Sequence, residues 1–493
     1  MTDENLATSA SRTRTHPRRT DALSALMTED WAATQPDWGF NRDAIELAAV
    51  RRRELAAQFP DTVLIIPSGS AKVRSNDVTY VFRPHTGFAH LTGLGVRSDP
   101  DSALVLAGGE AVLFQREPMG PGTEAFYLDG AGEYWTGRRP SMAELQTALN
   151  VPVRPIEGLV EYLTGVGRSV QVVPNVAPAV DRLLAAGAVN VDEAGSDALA
   201  TALDEMRLTK TLWEVGEMQK AVDVSIRGFA DVVQALPKAV SVSRGERVVE
   251  WAFLGRARIE ANDIGYGSTA AAGENATTLH WDACDGLVRA NDLVLLDAGA
   301  ELETLYTADI TRTMPVSGRF SDVQRLVYQA VLDAADAAIA AAVVGRPFQD
   351  PHDAAVTVLA ERLEEWGILP VTAAESLSDD GQQHRRWMPH ATSHHLGLDV
   401  HDCAGSRPEN YRGATIRPNM VFTVEPGLYF QADDLSVPAE FRGIGVRIED
   451  DIVATEDGPV NLSAGLPRTI AEIEEWMHPL LERGRALLST ATA

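Results

Sequence analysis

Five side chains in the second half of this 493-residue chain have the types and spacing for metal chemistry. The apolar run Leu293 to Leu296 ends on Asp297-Ala298-Gly299, and the run Val421 to Val424 ends on Glu425-Pro426-Gly427. A second acid follows each, Asp309 in ADITRT and Glu449 in GVRIEDD. Twice, then, a strand ending in an acid and a glycine turn leads to a second strand carrying an acid. This reads as a weak internal duplication, although acids at strand ends are also ordinary turn formers. If Ile444 to Glu449 is a strand, Ile444, Val446 and Ile448 share one face and Gly445, Arg447 and Glu449 the other. Arg447 would then fix the direction of the Glu449 carboxylate. A surface salt bridge between the two is the plainer reading. Asp309 and Thr311 share a face in the same way, which gives the acid a hydroxyl neighbour.

Histidines shift the balance. His390, His394, His395 and His401 fall within MPHATSHHLGLDVHD. The His390/His394 pair is not the helix-borne zinc protease motif, because Ala391 stands where that motif needs its glutamate. Together Asp297, Asp309, His394, Glu425 and Glu449 supply four carboxylates and one imidazole, enough to neutralise two divalent cations. Oxygen-rich ligation of this kind suits Mn2+, Co2+ or Fe2+, with Zn2+ also acceptable. Two such ions about 3.5–4 Å apart acidify a bridging water and clamp a carbonyl, which predicts hydrolysis.

The elements that must position these groups follow from periodicity. Arg42 to Gln58 has helical spacing of Ile45, Leu47, Val50 and Leu55, and Thr62 to Pro67, Val78 to Phe82, Ala103 to Ala107 and Ala111 to Phe114 are strand-like. Alternation of the two predicts a smaller mixed α/β N-terminal domain over 41–180, after a polar, disordered arm at 1–40. The Ala/Gly-rich stretch 181–205 is expected to be a linker. Long amphipathic helices at Leu212 to Ala235 and Gly245 to Ala261 open a second domain over 206–480, and 481–493 is left as a tail. Thr469 to Glu472 is a capping box opening a C-terminal amphipathic helix.

Composition removes other classes. With 43 basic and 70 acidic residues the net charge is −27, and no basic stripe offers itself to phosphates, so nucleic acid is not expected as a partner. The longest apolar run, Ala337 to Val344, is far short of a membrane span. Two cysteines, Cys284 and Cys403, cannot make a disulfide framework and fit a reducing, cytoplasmic compartment. The N-terminal arginines lack the apolar stretch of a secretion signal.

At the candidate site the sequence resembles the pita-bread metallopeptidases, and within them the aminopeptidase P (Xaa-Pro aminopeptidase) family. The strings that carry the resemblance are GENATTLHW (273–281), DAG and ADITRT (297–313), HATSHHLGLDVHD (390–402), VEPGLYF (424–430) and VPAEFRGIGVRIEDDI (437–452), in the family's order. YVFRPHTGFAHLTGLG (80–95) and VLFQRE (112–117) extend it more loosely into the N-terminal half. The resemblance implies an α/β (α+β) protein: a pita-bread catalytic domain preceded by a smaller α/β domain. It implies that Asp297 chelates one metal, that Asp309 and Glu449 bridge two, and that His394 and Glu425 hold the other. It also implies that His390 and His401 handle protons and the substrate carbonyl, that His280 lines the substrate site, and that Arg447 orients the cluster. Glu425 or a nearby histidine would shuttle the proton to the departing proline nitrogen. Peptides with N-terminal Xaa-Pro are the implied substrates, two divalent ions, Mn2+ first, the implied cofactors, and a homo-oligomer, dimer or tetramer, the implied assembly. Asp297 and Asp309 lie one residue further apart than is usual in the family; a bulge or a longer hairpin turn would leave both acids inward.

A bond before proline lacks an N–H, so a shaped pocket suits it better than an extended-strand grip. Other readings remain. Prolidase uses nearly the same ligands on Xaa-Pro dipeptides. A methionine aminopeptidase fits less well because some 200 residues precede the metal-binding unit, and a metal-free amidinohydrolase fits less well because every ligand position is filled. A non-catalytic peptide-binding member of the fold is the reading from another class.

Overall fold

The computed structural model describes residues 20–32, 36–76 and 78–491. The chain divides into two compact units, Met1–Leu203 and Asp204–Ala493. Among the described residues no helix is long and apolar enough to cross a membrane.

The first unit is built on a five-stranded mixed sheet. Strands β1 (Thr62–Pro67), β2 (Ala103–Ala107), β3 (Glu110–Gln115), β4 (Val153–Pro155) and β5 (Ser169–Val172) lie in the order β4-β3-β2-β1-β5. One face buries Val63, Ile65, Val105, Phe114, Leu159 and Val170 in a single core. Val78 to Phe82, expected as a strand, keeps strand geometry only at Val78–Thr79 and pairs with Val73–Ser75 alone; Val78, Tyr80 and Val81 are exposed, so no core holds the rest extended.

Three segments expected to be irregular are helical. Within the arm at 1–40, residues 1–19 and 33–35 lie outside the described residues, but Asp21–Thr28 is a helix. Thr20 caps it, and Trp31 just beyond packs edge-on against Phe126 at 5.1 Å. The stretch 181–205 is no plain linker: it contains most of Pro178–Ala186 and all of Glu193–Glu205, with Leu184, Leu199 and Leu203 buried. Small-residue composition suggested flexibility, but those leucines have a core to enter, and burial decides. The expected tail 481–493 is likewise largely the continuation of one helix, Ile470–Ala491, which buries Leu481. Its capping box is present: the Glu472 amide donates to Thr469 Oγ1 while the Glu472 carboxylate accepts the Thr469 amide.

In the second unit the helices Leu212–Val240 and Gly245–Glu260 are the expected long pair. Gly228 is where they meet, since a Cβ there would lie 2.7 Å from the Phe253 ring. Two antiparallel hairpins carry the candidate site. The first pairs β6 (Thr269–Ala272), β7 (Leu293–Asp297) and β8 (Thr311–Pro315) in the order β8-β7-β6. Asp297 faces Thr311, and the pairing continues without a slip through Ala298 with Ile310, Ala300 with Ala308 and Glu301 with Thr307. The extra residue therefore sits in the five-residue turn Leu302–Tyr306, where buried Leu305 takes a left-handed conformation at φ 72°, and not in a bulge beside the acids.

The second hairpin comprises β9 (Val421–Val424), β10 (Gly427–Phe430), β11 (Ile444–Arg447) and β12 (Asp450–Thr455), with β13 (Gly458–Asn461) alongside β12. Val424 faces Asp450 and Gly427 faces Arg447, so Glu425 stands opposite Glu449 in the same register. The Glu449 amide donates to the Thr311 carbonyl at 3.1 Å, which ties the second hairpin to the first.

Gly299 makes the first hairpin possible at its tightest point, because a Cβ there would fall 1.7 Å from the Ala308 carbonyl oxygen. Replacing it, Gly299→Ala, is expected to cost about 1–3 kcal/mol of overpacking. That lowers the thermal midpoint of the protein by a few degrees, measurable by differential scanning calorimetry; an unchanged midpoint would mean that the pairing is looser than described.

Candidate metal centre

Side-chain parity along the two hairpins explains how the acids meet. Residues two apart on a strand, and residues directly opposite across a ladder, share a face. Asp297, Thr311 and Asp309 therefore point the same way from the first hairpin. Thr423, Glu425, Arg447, Glu449 and Asp451 do so from the second. A third segment obeys the same rule. Residues 392–396 run antiparallel along β9, with the Thr423 amide donating to the His394 carbonyl and the Glu425 amide to the Thr392 carbonyl, both at 2.9 Å. His394 thus shares the face of Thr423 and Glu425. His395 points the opposite way, into an aromatic box where it stacks on Phe348 at 4.7 Å.

Asp309, His394 and Glu449 each offer a ligand atom within 4.8 Å of the others. His394 Nε2 lies 3.3 Å from Asp309 Oδ2, 3.6 Å from Glu425 Oε1 and 4.0 Å from Glu449 Oε1. Its Nδ1 lies 3.2 Å from the His395 carbonyl. A carbonyl only accepts, so Nδ1 carries the hydrogen and Nε2 is turned to the carboxylates. Asp297 joins on the far side: its Oδ1 accepts from the Tyr266 hydroxyl at 2.6 Å and its Oδ2 from Arg447 Nη2 at 2.5 Å. Arg447 Nε donates to Thr311 Oγ1, which donates in turn to Glu449 Oε2 at 2.7 Å. Arg447 and Glu449 are both buried, which replaces the surface salt bridge reading.

The remaining expected residues are also near. His390 Nδ1 lies 2.8 Å from the Ala391 carbonyl and its Nε2 2.8 Å from the Tyr429 hydroxyl, and Tyr429 also accepts from Arg447 Nη1. The His401 ring meets the His394 ring edge-on at 4.4 Å. His280 is exposed, on the loop after the 3-10 turn Gly273–Thr277, yet close enough for its charge to disfavour protonation of both His390 and His401. Cys284 and Cys403 are free and buried.

Electrostatics shows what the cluster lacks. Burial raises the carboxyls of Asp309 and Glu449, and the neighbouring acids raise them further. Glu425 is pushed up to about 7, by burial first, then by Asp309 and Asp297 against the pull of His394 and Arg447. For His394 burial alone works downward, but the hydrogen bond to Asp309 and the charges of Glu425 and Asp309 carry it up to about 9. Burial and then Arg447 push His390 down to about 4, and burial and then His394 lower His401, so both are neutral at pH 7. Tyr266 has one hydroxyl hydrogen and touches two acids, Asp297 and, at 2.5 Å, Asp309. Both contacts are favourable together only if one acid is protonated. Acids held this way are a donor set for cations, and the residues present fit a divalent pair.

Tyr266, Tyr429, Thr392 and Glu246 belong to the site's support; Tyr429 and Thr392 stand within the strings VEPGLYF and HATSHHLGLDVHD, whereas Tyr266 and Glu246 carry no motif in sequence. Glu246 is 1% exposed and accepts from the amides of Ala272 and Gly286, from Asn275 and from Trp281, all within 2.8 Å, thereby holding the loop that bears His280. Of these, only the paired donors of the GENATTLHW string could have hinted at such an acceptor.

The profile of Metallopeptidase family M24 matches residues 216–456, and that of the Aminopeptidase P, N-terminal domain matches residues 48–173. The chain is 47% identical over 468 residues to Xaa-Pro aminopeptidase 2 of Streptomyces coelicolor, covering 94% of this chain and 97% of that one. It is 48% identical over 472 residues to Xaa-Pro aminopeptidase 1 of the same organism, covering 94% of each. Among solved structures, Pseudomonas aeruginosa aminopeptidase PepP superposes with a TM-score of 0.77 at 32% identity over 88% of this chain and 98% of that one. Zn-substituted E. coli aminopeptidase P in complex with product gives 0.77 at 28% identity over 89% and 99%. The fold is that of these pita-bread proteins.

Loading the cluster with metal must expel protons. His394 holds one up to about pH 9 and Glu425 up to about pH 7, and each must be deprotonated to ligate. Affinity for Mn2+ is therefore expected to be weak in acid, to strengthen as pH rises through 7, by about tenfold or more per unit, and to level off above about 9. Calorimetric titration at pH 7 in two buffers of different ionisation enthalpy reads the released protons directly; identical heats in both would contradict the raised values.

Proposed function

The chain belongs to metallopeptidase family M24, in its aminopeptidase P branch, and is a metal-dependent aminopeptidase; from that premise we propose that it releases the N-terminal residue from peptides with proline in second position. The observation that supports this reading best is the convergence of four carboxylates on His394 Nε2 and Arg447. In the proposed site Asp297 would hold one divalent ion, His394 with Glu425 would hold the other, and Asp309 and Glu449 would serve both. Bound there, the pair supplies an activated water nucleophile and polarises the scissile carbonyl.

The protein's own groups then divide the work. Arg447 holds Asp297 and, through Thr311, Glu449, so the donor set keeps its shape. Glu425 would take the proton given up by the attacking water and return it to the proline nitrogen, which has no hydrogen of its own and must gain one to leave. His390 donates its Nδ1 hydrogen to the Ala391 carbonyl and accepts from the Tyr429 hydroxyl at Nε2, so it is a fixed polar wall of the site. His401, neutral and edge-on to His394, is the imidazole that meets the developing oxyanion. His280 lines the substrate side. Acidic groups around Asp297 attract the substrate's free amino group, which favours single-residue trimming. Mn2+ is the proposed ion on the oxygen-rich donors, and a homo-oligomeric, cytoplasmic enzyme the proposed setting, with both cysteines free.

Asp309→Ala is expected to lose both metal and activity. His401→Ala should retain metal while kcat falls by about 100- to 10,000-fold. Metal analysis beside assays on Xaa-Pro-Xaa peptides separates the two; equal metal loss in both variants would refute the division of roles. Hydrolysis of Xaa-Pro dipeptides alone would mean a prolidase.

A further inference from the structure

The loop that bears His394 and His401 is closed by a carboxylate with no part in the proposed chemistry. Asp402 is 1% exposed. Its Oδ1 accepts from Arg207 Nε and from the Cys403 amide, both at 2.8 Å, and its Oδ2 accepts from the Leu398 amide at 3.2 Å. The Asp402 amide donates at 2.9 Å to the His395 carbonyl, the same oxygen that takes the His394 Nδ1 hydrogen. One residue therefore ties the end of the loop next to His401 back to the carbonyl that orients His394.

This anchor is built deep in the unit. Arg207 is 5% exposed, and a second arm pairs with Asp204 at 2.5 Å. Asp204 Oδ2 in turn accepts the Gly405 amide at 2.7 Å, beyond the loop. Buried Lys210 adds its charge to Asp402 from the same side. The loop backbone presses on this group so closely that a Cβ at Gly397 would lie 2.4 Å from Asp402 Oδ2 and 3.1 Å from Lys210 Cε. Three donors from three directions need an acceptor with hydrogens on neither atom, which an ionised carboxylate provides and an amide does not.

We propose that Asp402, anchored by Arg207, is a positioning residue that sets His401 against the reacting carbonyl. The inference rests on the proposed role of His401 and deepens it. Asn at 402 keeps the shape but turns an amide hydrogen toward Leu398 or Arg207. The loop then shifts, and a small displacement of a catalytic imidazole is enough to reduce turnover.

The test is a double-mutant cycle on the metal-loaded full-length protein, with an Xaa-Pro-Xaa peptide. Asp402→Asn is expected to lower kcat by about 10- to 100-fold, with metal content kept and KM within about twofold. In the His401→Ala background the same substitution should cost nothing further. An equal fold-loss in both backgrounds, or a KM effect with kcat intact, would overturn the inference in favour of a purely architectural ion pair. If His401→Ala alone leaves kcat at the wild-type level, the role of His401 fails first and this inference falls with it. Should Asp402→Asn lose its near-ultraviolet circular dichroism, Arg207→Lys carries the same cycle: it keeps the charge but loses the Nε contact, so a milder kcat loss, again absent without His401, is expected.

Discussion

The site depends on parity in three antiparallel ladders that share one face. Asp297 and Asp309 come from the first hairpin, Glu425 and Glu449 from the second, and His394 from the segment laid along β9. A slip of one residue in any ladder would turn its ligand to the opposite face, because strand side chains alternate with a period of two. The adjacent histidines make the point within one segment. His394 faces the carboxylates, and His395, one step on, is wholly buried against Phe348, Tyr411 and Phe422. On the reverse face of the hairpins the intervening residues Arg312 and Asp450 pair at 2.7 Å, so the structure uses both sides of its register.

That geometry carries an electrostatic cost that bound metal cations, or protons in their place, relieve. Four carboxylates share a nearly dry face with one guanidinium, and moving a charge out of water is repaid only by close partners. Without metal the cluster holds protons instead, on His394, on Glu425 and across the Asp297–Tyr266–Asp309 contact. The rigid ladders prevent the acids from separating. What would be strain in an ordinary core is here a standing affinity for divalent ions, set by backbone pairing and not by any one side chain.

Much of this was legible in sequence because it is local. Apolar runs ending in an acid and a glycine marked both hairpins, and alternation across Ile444 to Glu449 placed Arg447 and Glu449 together. What was not legible is long-range. Tyr266 reaches Asp297 and Asp309 across 31 and 43 positions, and Glu246 reaches Trp281 across 35, with no periodic signal to announce either. The linker and the tail read as loose chain for the opposite reason. Their composition suggests loose chain, but Leu184, Leu199, Leu203 and Leu481 find cores to fill, and packing outweighs local propensity.

The two hairpins reach the same parity by different means, which bears on the weak duplication. The first is continuous from β7 to its turn and absorbs its extra residue at Leu302–Tyr306, away from the acids. The second is interrupted at Glu425-Pro426. Proline has no amide hydrogen to give to a ladder, so β9 ends and β10 begins anew, while the register across the break, Val424 with Asp450 and Gly427 with Arg447, is unchanged. The Glu425 amide, on the same edge of β9 as the Thr423 amide, pairs with Thr392, so the histidine segment stays alongside up to the break. The first hairpin has no such break and carries β6 on the edge of β7 where β9 carries the histidine segment; its acids meet the Tyr266 hydroxyl, and Asp309 shares His394 with the second hairpin at 3.3 Å. One repeated plan, a strand, an acid, a turn and a second acid, thus gives two pairs of acids that meet at one shared imidazole, supplied from the edge of β9.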